Sequence, residues 1–127
     1  MRRKRLQEQL SVLPAILNVV LAVGCSTSAR YSMLVPTHTP KPSDCSIEVF
    51  KTGVPSKKFV RISRLDVHRE RTYYGRTELD DVLDELKEQA CASGADAVID
   101  LDERSKNINL HETNVYHVTA TGIQYSE

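Results

Sequence analysis

The 127-residue chain lacks an excess of charge of either sign, an apolar run as long as a membrane span, and more than three cysteines. Each shortage excludes something. Seventeen basic residues balance seventeen acidic ones, so the strongly positive balance of a nucleic-acid binder is missing. The apolar stretch at residues 10–23, interrupted by Ser11, Pro14 and Asn18, runs for about 14 residues where a spanning helix needs about 20. The length suits one domain and is too short for two of ordinary size. No nucleophile, base and anion-binding group stand together at a recognisable spacing, and no cofactor loop is present, so no catalytic residue is assigned and the chain is read as a non-enzyme.

What is there begins with an address. Arg2, Arg3, Lys4 and Arg5 precede the short apolar run, the layout of a secretory signal peptide. The run ends in Ala22-Val23-Gly24-Cys25, which resembles the lipobox of bacterial lipoproteins. That resemblance implies a signal peptide over residues 1–24, a lipid such as palmitate on Cys25, and a membrane partner reached through that lipid. By resemblance to lipoprotein sorting in bacteria with two membranes, Ser26 after the cysteine implies the outer membrane, facing the periplasm.

Without Arg2, Arg3, Lys4, Arg5 and Glu8 the mature chain holds 13 basic and 16 acidic residues. Residues 26–44 combine serine, threonine and Pro36, Pro40 and Pro42 with little apolar periodicity. Such a segment reads as a flexible tether with a root-mean-square span of about 25 Å, giving boundaries of 25–44 for lipidated cysteine and tether and 45–127 for the domain.

Within the domain, Ile47, Val49 and Phe50 mark one strand, and residues 58–68 a second. Val60 and Ile62 are out of phase with Leu65 and Val67, so a bulge near Ser63 is predicted. Thr77 and Asp80 resemble a capping box, and Glu78, Asp80 and Asp81 suit the positive end of a helix dipole. Leu79, Val82, Leu83, Leu86 and Ala90 form the apolar stripe, and Gly94 closes the helix. Ala97, Ile99 and Leu101 then alternate with Val98, Asp100 and Asp102 as in a strand with one buried face. Residues 103–114 read as a long turn. The last strand, residues 115–125, places Tyr116, Val118 and Ala120 on one face, with Gly122 at a bulge or close contact. The expected fold class is α+β: a single small sheet with one helix packed on one face, in the order β-β-α-β-β.

The run Gly94-Ala95-Asp96-Ala97-Val98-Ile99 after a helix, with a strand ending Thr119-Ala120-Thr121-Gly122-Ile123, resembles the YbjQ and RcsF-like lipoprotein superfamily over about residues 45–125. The resemblance implies that fold and, for the RcsF-like members, an outer-membrane lipoprotein that senses envelope stress. The strand cysteines of RcsF have no counterpart here, where Asp100, Asp102, Val118 and Ala120 occupy those elements.

With Cys25 set aside as acylated, Cys45 and Cys91 are an even pair that can form one disulfide in an oxidising envelope. The bond would close a loop of about 47 residues and contribute roughly 4 kcal/mol. The alternative, a half-buried Cys91 and a free Cys45, stays open because spacing does not give their Cα separation. His38, His68, His111 and His117 match no metal-ligand spacing, so no metal is assigned; a periplasmic metal-binding module using His111, His117 and nearby carboxylates is the alternative function. Asp96, Asp100 and Asp102 fall on one predicted strand face, Asp100 and Asp102 about 7 Å apart, and read as a solvated surface. Residues 45–76 carry a net +5 and residues 77–127 a net −9. A basic hairpin with Tyr73 and Tyr74 would suit an anionic partner, although the two halves neutralising each other is the reading preferred. The function expected is non-enzymatic binding of an envelope protein or polymer, with a role in stress sensing.

Overall fold

In residues 26–33, Thr27, Ala29, Tyr31 and Met33 alternate with Ser26, Ser28, Arg30 and Ser32, a period of two that suits a strand with one packed face. The computed structural model, which describes residues 25–71, 77–108 and 113–126, makes this segment the strand β1 (Cys25–Met33). It is followed by β2 (Glu48–Val49), β3 (Phe59–Arg71), α1 (Leu79–Ala92), β4 (Ala97–Ile108) and β5 (Thr113–Tyr125). The five strands form one mixed sheet in the order β1-β3-β5-β4-β2. Among the described residues only β2 and β4 run parallel.

The expected order β-β-α-β-β is therefore wrong, and β-β-β-α-β-β replaces it. The added strand comes from the segment read as a tether. Its apolar members are few, but Ala29, Tyr31 and Met33 pack against the core on the helix side of the sheet, and three serines and Arg30 take the other side. The long turn expected at residues 103–114 is also displaced, since β4 continues to Ile108 and β5 starts at Thr113.

The helix starts one residue later than predicted. Glu78 is the N-cap, and its N–H donates to Asp81 Oδ2 at 2.8 Å in a reciprocal capping box. Leu79, Val82, Leu86, Ala90 and Cys91 are its buried stripe. Burying Val82 and Leu86 completely stabilises the fold by about 1.5–3 kcal/mol per side chain. At the other end the Gly94 N–H donates to the Cys91 carbonyl at 2.9 Å and the Ala95 N–H to the Ala90 carbonyl at 3.0 Å. Gly94 has φ +83° and an added Cβ would lie 2.7 Å from the Thr39 carbonyl oxygen. Both the left-handed backbone and the close approach require glycine there.

Two bulges set which side chains meet the helix. The β3–β5 register shifts between Arg61 and Ser63, which brings Ile62 into the core beside Leu65 and Val67 and leaves Val60 half-exposed at the strand end. The second shift lies in β4 between Ile99 and Asp102, with Asp100 at φ +55°. It reverses the strand's phase. Val98 and Leu101 pack with the helix, whereas Ala97 and Ile99 join Ile123 in a second cluster covered by Phe50, Phe59 and Tyr125. The expected Ala97, Ile99 and Leu101 face is thus divided by one extra residue.

Candidate functional site

Cys25 is the first residue of β1 and is in register with Arg71 of β3. The other two cysteines are linked: a disulfide joins Cys45 to Cys91, with Cα atoms 5.9 Å apart. It fastens the chain before β2 to the buried end of the helix stripe.

The approach to that bond is held by polar contacts as well. The Lys41 N–H donates to the Cys91 carbonyl at 2.9 Å, and Lys41 Nζ reaches the Ala95 carbonyl at 3.0 Å and forms an ion pair with Asp96. Asp96 Oδ2 in turn accepts the Tyr125 N–H at 2.8 Å. One carboxylate therefore ties the pre-β2 segment to the last strand, a positional role that the sequence pattern did not reveal.

The sheet face away from the helix carries a group of titratable side chains. Antiparallel register sets His68 of β3 opposite His117 of β5, and their rings meet edge to face with centroids 6.0 Å apart. His117 Nε2 lies 2.7 Å from Asp66 Oδ1, and His68 Nε2 lies 3.1 Å from Glu70 Oε1. Arg30 on β1 is 3.6 Å from the other Asp66 oxygen. Arg30, Asp66, His68 and His117 border an open depression of about 400 Å³ that also touches Ser28 and Ala29. The arrangement offers hydrogen bonds and ion pairs to a polar surface. Among the described residues, no three histidine, cysteine or carboxylate side chains are placed to hold a metal ion.

The other sequence candidates scatter. His38 lies before β2 and meets Tyr31 edge to face at 6.0 Å, while His111, Tyr73 and Tyr74 lie outside the described residues. Asp96, Asp100 and Asp102 do not share a face as expected, because the β4 bulge separates them. Asp100 instead faces Arg61 at 3.4 Å, and Asp102 faces Arg104 at 3.3 Å.

A second hollow, about 420 Å³, lies at the start of α1, between Lys51, Thr77, Glu103 and Tyr116. The Tyr116 hydroxyl donates to Glu103 Oε1 at 2.6 Å. Burial first, and then the Glu103 hydrogen bond and charge, hold that phenol well above its ordinary range. The Thr77 hydroxyl is buried without a partner.

No protein family and no curated protein matches the chain. Among solved structures it is similar to the orthorhombic crystal form of the Francisella virulence factor FvfA, at 16% identity and a TM-score of 0.49, over 75% of this chain and 97% of that one. At that distance the likeness carries no argument about this chain.

The histidine pair and the Lys41–Asp96 tie are the groups that sequence reasoning missed. His68 and His117 are far apart in the chain, and only the β3–β5 register brings them together. The usable signal was the alternation of Leu65 and Val67 and of Tyr116 and Val118, which places each histidine on the outward side of its own strand.

Proposed function

We propose that the protein is a lipid-anchored component of a bacterial cell envelope, on the periplasmic side of the outer membrane, and that its folded part binds an envelope protein or polymer without catalysis. The observation that carries this reading is the division of the three cysteines. Cys45 and Cys91 are joined to each other, as suits an oxidising compartment, and the third, Cys25, directly follows the short apolar leader and Ala22-Val23-Gly24 in the sequence. Among the described residues no helix is long and apolar enough to cross a membrane. In this proposal attachment rests on acyl chains carried by Cys25.

A role in envelope stress sensing follows from the resemblance to RcsF-like lipoproteins and belongs to the same proposal. The polar sheet face with Arg30, Asp66, His68 and His117 is the surface on which such a partner would be read.

The experiment is metabolic labelling with radioactive palmitate, together with membrane fractionation of Cys25→Ser. Label in the parent and release of the variant from the membrane are expected. An unlabelled protein, with the variant retained as firmly as the parent, would refute anchoring. Crosslinking in intact envelopes, followed by loss of the crosslink in Asp66→Ala, addresses the binding half. The alternative of a periplasmic metal-binding module rests on the sequence reading of His111, His117 and nearby carboxylates, and calorimetry with zinc or copper that gives no stoichiometric uptake removes it.

A further inference from the structure

The two edges of the sheet are unequal. At one end β2 is only two residues long and leads on from the disulfide-bound Cys45. At the other, β1 is nine residues long, pairs with β3 in an unbroken register, and has no strand on its outer side among the described residues. Edges are ordinarily blunted by proline, lysine, a bulge or shortness. The sequence Cys-Ser-Thr-Ser-Ala-Arg-Tyr-Ser-Met has none of these devices and a single charge, Arg30.

The direction of its free backbone groups can be read from the ladder. The Leu34 N–H donates to the Ile62 carbonyl at 2.8 Å, in line with the β1–β3 register that pairs Met33 with Ser63. In an antiparallel ladder, residues that exchange both bonds with the neighbour alternate with residues whose N–H and C=O point the other way. The even-numbered residues of β1 therefore face β3. Thr27, Ala29, Tyr31 and Met33 direct their backbone groups outward.

We propose that two copies of the chain join antiparallel along this edge, with Ala29 on the two-fold axis, to make one continuous ten-stranded sheet. Three independent features select that centre. Ala29 is the midpoint of Cys25–Met33, so the overlap is of full length. It belongs to the outward set, so Ala29 exchanges both bonds with its copy, and Thr27 does so with Tyr31 of the second copy, for about ten bonds in all. Charge is also accommodated: Arg30 meets Ser28 of the other copy, whereas a two-fold on Arg30 would bring two guanidinium groups together, a destabilising pair. Tyr31 and Met33, partly buried against each copy's own core, would extend the apolar helix-side surface across the junction.

This pairing does not depend on the lipid. The two Cys25 positions fall about 27 Å apart at opposite ends of the joined strands. In the Cys25→Ser background both the pairing and its test stand without acylation, so failure of one reading does not entail failure of the other.

The test is crosslinking and sedimentation of the full chain, Cys25→Ser, in detergent. Adding Ala29→Cys should give a disulfide-linked dimer on mild oxidation. Thr27→Cys alone should not, but mixed with a Tyr31→Cys chain it should crosslink. Ala29→Pro removes the two donors on the axis and leaves every bond to β3 in place, so it should abolish the dimer. Should that variant fail to fold, Ser28→Lys on the exposed side opposes Arg30 of the second copy twice and should weaken association by about tenfold. A chain that stays monomeric at about 100 μM, or a dimer that both substitutions leave unchanged, would overturn the proposal. A strand from another envelope protein on the same edge would appear as a monomer in this assay and would count against self-pairing.

Discussion

Gly122 is a position where a single added methyl should do substantial damage. It lies in β5 opposite Ser63, and an added Cβ would stand 2.1 Å from Ser63 Oγ, 3.2 Å from Ala95 Cβ and 3.4 Å from Ser93 Oγ. Ser63 is completely buried and its hydroxyl donates to Ser93 Oγ at 2.8 Å, while Ser93 donates to the Ala90 carbonyl at 2.8 Å. The Ser63 hydroxyl must therefore leave its partner to admit the methyl, with no solvent to receive it. Overpacking costs about 1–3 kcal/mol, and a buried hydroxyl without a partner costs about 1–3 kcal/mol more. Gly122→Ala should destabilise the fold by about 2–6 kcal/mol. Ser63→Ala should cost only about 1 kcal/mol, because Ser93 keeps its bond to Ala90. The double variant should be more stable than Gly122→Ala alone, since the clashing oxygen is gone. Urea unfolding of the three variants gives these differences from the midpoints at an unchanged slope. A Gly122→Ala chain within about 0.5 kcal/mol of the parent, a shift usual for innocuous surface changes, would refute the packing account. So would a double variant with no recovery.

The disulfide between Cys45 and Cys91, separated by 46 residues, should contribute about 4 kcal/mol through the loop it removes from the unfolded chain; Cys45→Ala and Cys91→Ala, with and without reductant, measure it by denaturation. Tyr116 gives a pH signature. Its folded pKa is raised by burial and then by Glu103, so the proton is bound more tightly in the folded state; this contribution is complete below pH about 10 and declines as the pH rises beyond the unfolded value. Unfolding of the parent and of Tyr116→Phe at pH 8 and above pH 10 should show a steeper alkaline loss in the parent, and equal slopes would contradict the assignment. Asp96→Ala should cost about 1–3 kcal/mol by leaving the Tyr125 N–H and Lys41 without their shared carboxylate, a difference that thermal unfolding can resolve.

The sequence showed the elements whose apolar residues repeat strongly. Five hydrophobic side chains at helical spacing and a glycine stop were enough for α1, and the alternation of Tyr116, Val118 and Ala120 was enough for β5. The phase conflict between Ile62 and Leu65 marked the β3 bulge, because both residues could be buried only if one residue were added between them. The β4 bulge left no such trace. Asp100 in the left-handed region shifts the phase, yet Ala97, Ile99 and Leu101 already alternate well enough to suggest a regular strand. β1 escaped notice for a different reason: serines on one side and a few half-buried residues on the other form a strand mainly through pairing with β3. Local composition does not contain that partner.

The same distinction governs the candidate site. Cys45 and Cys91 could be offered as a pair once Cys25 was set aside by position, whereas the histidine pair exists only after β3 and β5 are in register. The corrected β1 also changes the consequences of the proposed anchor. A coil of residues 26–44 would have given the domain about 25 Å of reach, but a strand that starts at Cys25 and pairs at once with Arg71 gives none. An acyl chain on that sulfur would hold the sheet at the lipid headgroups, and the partner would have to come to the membrane surface. The surface offered there is set by strand register, since Ser26, Ser28 and Arg30 stand beside Glu70, His68 and Asp66 on the face without a helix. Orientation and recognition would then depend on the same edge of the sheet, so a substitution that detaches β1 should disturb both together.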